Sequence, residues 1–149
     1  MRMEFMETLK NAAKEPISQE LLDLFNESAM GVDGLLGLRY THISNGLVRS
    51  ELPVKPHLFQ PAGMVNGGVF ATMAESAGSI ASMVAAGAPV VGVNNSTDFI
   101  GAVRSGVIQA EATPIQVGRR THLWQIEMTR EGKLVARTVL RTMPVSMPG

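Results

Sequence analysis

Polar and apolar positions along the chain follow two different periods. Residues 1–16 form a polar lead-in or short helix, bounded by Pro16. Ser18-Gln19-Glu20-Leu21 then has the pattern of a helix N-cap. Leu21, Leu22, Leu24, Phe25 and Met30 continue as a helical stripe, which Gly31 and Gly34 bring to an end. There the period shifts to two. Leu36 to Ser44 reads as a strand, Asn45-Gly46 as a hairpin turn, and Leu47 to Val54 as the partner strand. Pro53, Pro56 and Pro61 keep the next stretch extended and irregular.

Gly67-Gly68 opens a segment that runs without proline to about Ala86, with Glu75 as its only charge. A helix this apolar must be covered on most sides. Ala71, Ala74, Ala77, Gly78, Ala81 and Ala85 would let neighbouring backbone come close. The uncharged window Ser76 to Val93 is long enough to raise the question of a membrane span. Its Ala, Gly, Ser and Val gain little from lipid, Gly87 and Pro89 break it, and Glu75 at its edge would cost about 2–3 kcal/mol in a bilayer. It reads as a buried helix followed by a strand, with no membrane partner.

After Gly87-Ala88-Pro89 the alternation returns. Strands are expected over Val90 to Phe99, Gly106 to Val117, Thr121 to Arg130 and Leu134 to Met143. Gly118 and Glu131-Gly132-Lys133 supply turns, and Pro144 and Pro148 mark a short tail. In the third of these strands Trp124, Ile126 and Met128 alternate against Leu123, Gln125, Glu127 and Thr129. The order is helix, two strands, long helix, four strands. One helix must be covered by one curved antiparallel sheet of about six strands, an α+β layer arrangement. Residues 1–30 are the lead-in and first helix and 31–149 the main unit, a single domain overall.

Composition narrows the function. The 149 residues carry 13 Lys and Arg against 13 Asp and Glu, a formal charge of zero, which argues against a nucleic-acid partner held by bulk charge. With 45% apolar residues the chain can build a core. Absence of Cys excludes a disulfide scaffold and a thiol nucleophile, and three scattered His make no zinc cluster, so no metal is expected. Glu4 and Glu7 interrupt any apolar run at the start, so no secretory signal is read and a cytoplasmic protein is expected.

Three features coincide between Gln60 and Ser79. Gly67 and Gly68 begin a helix, so unpaired N–H groups and the positive dipole end stand open to a ligand. Glu75 lies mid-helix, where burial would raise its pKa toward that of a general base. Gln60 and Asn66 bring neutral amides to the helix entrance, able to hydrogen-bond a carbonyl or orient a water. Each has a plainer reading: a tight helix entry, an exposed or ion-paired charge, and turn-forming amides. Physics alone leaves the reaction open.

The segment Gln60-Pro61-x-Gly63-x-x-Asn66-Gly67-Gly68, with Glu75-Ser76 following, resembles the signature of hotdog-fold acyl-CoA thioesterases. The aryl-CoA branch is the nearest, including 4-hydroxybenzoyl-CoA, 1,4-dihydroxy-2-naphthoyl-CoA and phenylacetate-pathway relatives. The likeness continues through Val90 to Phe99, Ala112 to Arg120 and Trp124 to Ile126, spanning residues 31–143. It implies a hotdog fold and hydrolysis of an acyl-CoA, with coenzyme A entering only as part of the substrate and no separate cofactor. Glu75 would be the nucleophile or base, the Gly67 N–H would polarise the carbonyl, and Gln60 would orient carbonyl or water. Ser79, one turn beyond Glu75, Gly68, Asn94 and Asn95 would be substrate-binding, and Arg119 and Arg120 candidates for the CoA phosphates. A dimer or dimer of dimers is implied. Asn66 and Gln116 stand where the family usually has His, which leaves Glu75 the only evident acid–base group; His42, His57 and His122 are read as structural or surface residues. A non-catalytic acyl-CoA-binding protein and an enoyl-thioester hydratase or dehydratase are the alternatives.

Overall fold

The computed structural model describes residues 3–146; Pro148 of the expected tail lies outside them. Three helices come first: α1 (Met3–Ala12), α2 (Gln19–Glu27) and α3 (Gly31–Leu36). The hairpin β1 (Arg39–Ser44) and β2 (Leu47–Pro53) follows, then a 3₁₀ turn at Pro56–Leu58 and the long helix α4 (Gly67–Ala86). Strands β3 (Val90–Phe99), β4 (Val107–Val117), β5 (His122–Arg130) and β6 (Lys133–Pro144) complete the chain. All six strands form one antiparallel sheet in the order β1-β2-β4-β5-β6-β3.

The sheet wraps α4, which touches every strand. Trp124, Ile126 and Met128 point inward with no exposure, as the alternation in β5 requires. Burial of Ile126, Met128 and Leu140 contributes about 1.5–3 kcal/mol each. The approach is closest at Gly78, where a Cβ would stand 2.5 Å from Leu140 Cδ2 and 3.2 Å from Ile126 Cδ1. By length and composition α4 could cross a membrane. Its Met73, Ala74, Ala77, Ala81 and Val84 are instead buried under the sheet, as in a core helix.

Of the two readings of residues 1–16 the short helix is the one found, and α3 is the helix that was not expected. The lead-in is itself helical, and Leu9 of α1 is wholly buried in the same core as α4. Ser18 does cap α2, accepting the Leu21 N–H at 3.3 Å. The helix stops at Glu27, however, before Gly31 and Gly34, which lie inside α3. Of the expected stripe only Leu22 is fully buried; Phe25 is half-buried against Phe5 and Tyr40, while Leu21, Leu24 and Met30 are exposed. A contact distant in sequence explains α3: Asp33 accepts hydrogen bonds from Ser76 Oγ at 2.6 Å and from the Tyr40 hydroxyl at 3.2 Å. Burial, and then the Asp33 carboxylate beside it, pushes the Tyr40 hydroxyl well above its ordinary pKa. Gly37 ends α3 at φ 85°, so β1 begins at Arg39 rather than Leu36.

Both hairpin turns fall where expected. Glu131 and Gly132 take positive φ of 50° and 75°, the type I′ geometry, whereas at Asn45-Gly46 only Gly46 does.

Under the C-terminal half of α4, Ser82 Oγ lies 2.7 Å from both His122 Nδ1 and Thr142 Oγ1. All three residues are buried, and burial lowers the His122 pKa below its usual 6.5. Between the lowered native value and the unfolded value the unfolded chain binds more protons. Stability is therefore kept above about pH 6.5 and lost as pH falls below it. The urea midpoint of the wild type should drop between about pH 7 and 5.5, and drop less in His122→Gln. Equal slopes in the two proteins would remove His122 as the cause.

Candidate functional site

The loop between β2 and α4 delivers the helix entrance. Gln60 begins a turn in which Gly63 N–H donates to Gln60 O at 2.9 Å and Gln60 N–H to Met64 O at 2.8 Å. The Ala62 N–H donates to Gln60 Oε1, which leaves the amide NH₂ of Gln60 free to donate elsewhere. Asn66 is the N-cap of α4, and its side-chain oxygen accepts the Gly68 N–H at 2.7 Å. Of the glycine pair, Gly68 is thus partnered, while the Gly67 N–H makes no hydrogen bond among the described residues. It remains as a donor at the positive end of a twenty-residue helix. The ring of Phe99 packs directly on Gly67, where a Cβ would meet its Cζ at 2.7 Å.

Two turns on stands Glu75. The burial expected of it is absent from the single chain, where it is exposed. The reason lies in the wrapping. Gly68, Ala71, Thr72, Glu75, Ser76 and Ser79 form one strip of α4 that the sheet leaves open. On one flank of the strip β3 is tied down by Asn95, whose Nδ2 donates to Ala71 O at 2.9 Å. On the other, α3 is tied by Asp33 to Ser76. The Glu75 carboxylate lies against Gly92 of β3, where a Cβ would sit 2.7 Å from Oε1.

The structure brings Ser79 onto the Glu75 face, half-buried. It places Asn94 exposed on β3 and gives Asn95 the tie just described, with Thr97 donating to its Oδ1 at 2.7 Å. Arg119 and Arg120 are exposed at the β4–β5 turn, around an open hollow with Gln116, Gly118 and Thr121. That turn borders His122 and hence Ser82, toward the end of α4 opposite Gly67. His57 is exposed, with Nε2 3.2 Å from Leu35 O, and His42 pairs with Ser44 at 2.7 Å. Among the described residues no three His, Asp or Glu come together as a metal site. Phe99 and Gly92 escaped the sequence reading. A lone Gly inside a strand was the available signal for Gly92; nothing local marks Phe99.

A free helix-terminal amide and a carboxylate thus share one helix at the centre of a hotdog architecture. The profile of the Thioesterase superfamily matches residues 62–136. The chain is 31% identical to 1,4-dihydroxy-2-naphthoyl-CoA hydrolase of Escherichia coli over 87% of this chain and 96% of that one. It is 33% identical to the proofreading thioesterase EntH of Klebsiella pneumoniae, covering 77% of this chain and 84% of that one. The crystal structure of a thioesterase of Haemophilus influenzae superposes with a TM-score of 0.75 at 30% identity, over 85% of this chain and 92% of that one. The chain belongs to the Thioesterase superfamily and is a thioester hydrolase.

Because Asn66 caps α4 through its oxygen, Asn66→Ala should cost about 1 kcal/mol of stability, and Asn66→Asp, which keeps the acceptor, should stay near wild type. Urea unfolding of the three proteins separates these outcomes; an Ala variant as stable as wild type would remove the capping role.

Proposed function

We propose that the protein hydrolyses acyl-CoA thioesters with an aromatic acyl group, at a site shared between two chains. The carbonyl oxygen accepts from Gly67 N–H, and the free Gln60 NH₂ orients the carbonyl or the attacking water. Glu75 either adds to the carbonyl carbon, displacing CoA thiolate to leave a mixed anhydride that water then hydrolyses, or takes a proton from that water as it attacks, the proton passing on to the departing CoA sulfur. Arg119 and Arg120 hold the CoA phosphates from the side of the site that supplies Glu75. The aromatic preference is supported by the likeness to the naphthoyl-CoA hydrolase.

The observation that carries the shared site is a distance. Gly67 and Glu75 are eight residues apart in one helix, about 12 Å along its axis. A carbonyl bound at Gly67 therefore cannot place its carbon within about 3–3.5 Å of the same chain's Glu75. A second copy resolves this. Strand β3 is an edge of the sheet, ten residues long, with Val91, Val93 and Phe99 exposed. Such an edge invites another strand. Pairing two β3 strands antiparallel about their middle puts the two-fold axis near Asn95. Asn95 is bonded to Ala71, which is midway between Gly67 and Glu75. The same axis then brings Gly67 level with the partner's Glu75.

Release of free CoA thiol from benzoyl-, phenylacetyl-, naphthoyl- and fatty acyl-CoA measures the activity. Glu75→Gln should keep the fold and lower kcat by several orders of magnitude. A folded variant that keeps more than about a tenth of kcat would exclude Glu75 as nucleophile or base.

Mixing inactive Glu75→Ala with inactive Gly67→Val tests the sharing. Each mixed dimer retains one site with both groups intact, so it should regain about half the activity of a wild-type dimer. Verified subunit exchange with no regained activity, or an active strict monomer, would exclude the shared site.

A further inference from the structure

The connection from β3 to β4, residues 100–106, passes beneath the entrance to α4 and is bonded to it three times, through two residues. Val103 O accepts the Val65 N–H at 2.8 Å, immediately before the Asn66 cap. The next residue, Arg104, donates from Nη1 to two carbonyls, Ala62 O at 2.9 Å and Gly63 O at 3.2 Å. Both carbonyls belong to the turn that presents Gln60. Within that turn the Ala62 N–H holds Gln60 Oε1, and the Gly63 N–H holds Gln60 O. The turn also needs Gly63 at φ 79°, close against the guanidinium: a Cβ there would lie 3.5 Å from Nη1.

The base of this clamp is fixed at both ends. Ile100 and Gly101 N–H groups both donate to Val135 O on β6 at 2.9 Å. Arg130 Nε on β5 donates to Ser105 O at 2.7 Å. Arg104 therefore transmits the position of the sheet to a turn that is otherwise exposed at Pro61 and Ala62.

We propose that Arg104 is a positioning residue for the hydrolysis, acting through the Gln60 amide; this rests on the reading that Gln60 orients the carbonyl or the water. The peptide plane of the Ala62 carbonyl carries the Gly63 N–H that holds Gln60 O, and it pivots at the Ala62 Cα on the plane whose N–H holds Gln60 Oε1. Releasing the Ala62 and Gly63 carbonyls to solvent leaves the fold intact, because water replaces the two lost bonds. It frees the Gln60 NH₂ to leave its catalytic position, and misplacement on the order of 1 Å can cost about a hundredfold in rate. One guanidinium nitrogen with two hydrogens, carried on a planar group, suits two adjacent carbonyls; a lysine ammonium lacks that fixed geometry.

The experiment is a double-mutant cycle of Arg104→Met and Gln60→Ala, read as kcat and KM separately. Arg104→Met should lower kcat between about tenfold and a hundredfold with KM little changed, and Arg104→Lys should recover part of the loss. In the Gln60→Ala background Arg104→Met should have no further effect on kcat. A loss of equal size in both backgrounds, an unchanged kcat, or a rise in KM alone as expected of a phosphate ligand, would each overturn the proposal. The Gln60 side-chain amide signals in a ¹⁵N spectrum, assigned by their loss in Gln60→Ala, give a readout independent of turnover. They should shift or broaden in Arg104→Met, and signals that stay in place would overturn the clamp. A wild-type protein inactive on every thioester of the panel, with amide signals that do move, would leave the clamp standing and remove the substrate reading.

Discussion

A twenty-residue helix with a single charge has to be sheathed, and the sheath has to come close. At Gly78 the sheet reaches the helix so closely that even a methyl group would overlap Leu140. This contact sets the rest of the molecule. It demands glycine at position 78, beside the buried Ala74, Ala77 and Ala81, and it demands inward side chains with fixed alternation on β5 and β6. The wrap stops short of a full turn, because β3 and β1 remain edges. The strip of α4 beside β3 is what stays open, and the only charge of the helix lies on it. The position of the carboxylate is thus a consequence of where the sheet ends.

The helix entrance shows how one side chain sorts the backbone donors around it. Asn66 consumes one amide in capping, and so selects the Gly67 N–H as the free donor. Phe99 leans on that glycine from the end of β3. An imidazole at position 66 would bring a titratable group but surrender the short acceptor that caps Gly68. Local helix stability and acid–base capacity compete for one side chain, and here the cap has it.

The long helix and strands β3 to β6 were legible because each announces itself by period and by glycine or proline boundaries, within two residues of the observed ends. The first 36 residues were less so. Gly31 and Gly34 have the local character of helix terminators, yet α3 forms around them because Asp33 finds Ser76, 43 residues away. No local pattern encodes that bond. The same limit applies to Glu75: an isolated charge in an apolar stretch reads as surrounded, and only the position of the β3 edge reveals that it is not. Gln60, Gly67 and Asn66 were legible because helix entry is a local grammar. Asn94 and Asn95 looked equivalent in sequence, whereas the fold gives Asn95 a backbone tie and leaves Asn94 exposed. Arg104 and Phe99 went unread because their partners lie some forty and thirty residues earlier in the chain.

The order of elements has a further consequence for synthesis. Of the described strands only β1 and β2 precede α4; the four that complete its wrap all follow it. A chain growing from its N-terminus therefore presents an apolar segment of membrane-span length before most of its cover exists. Antiparallel pairing cannot join β2 to β4 until β3 has been bypassed, so the sheet closes late and through distant contacts. The last sixty residues decide whether the preceding helix ends in a core or stays exposed to chaperones and to other nascent chains.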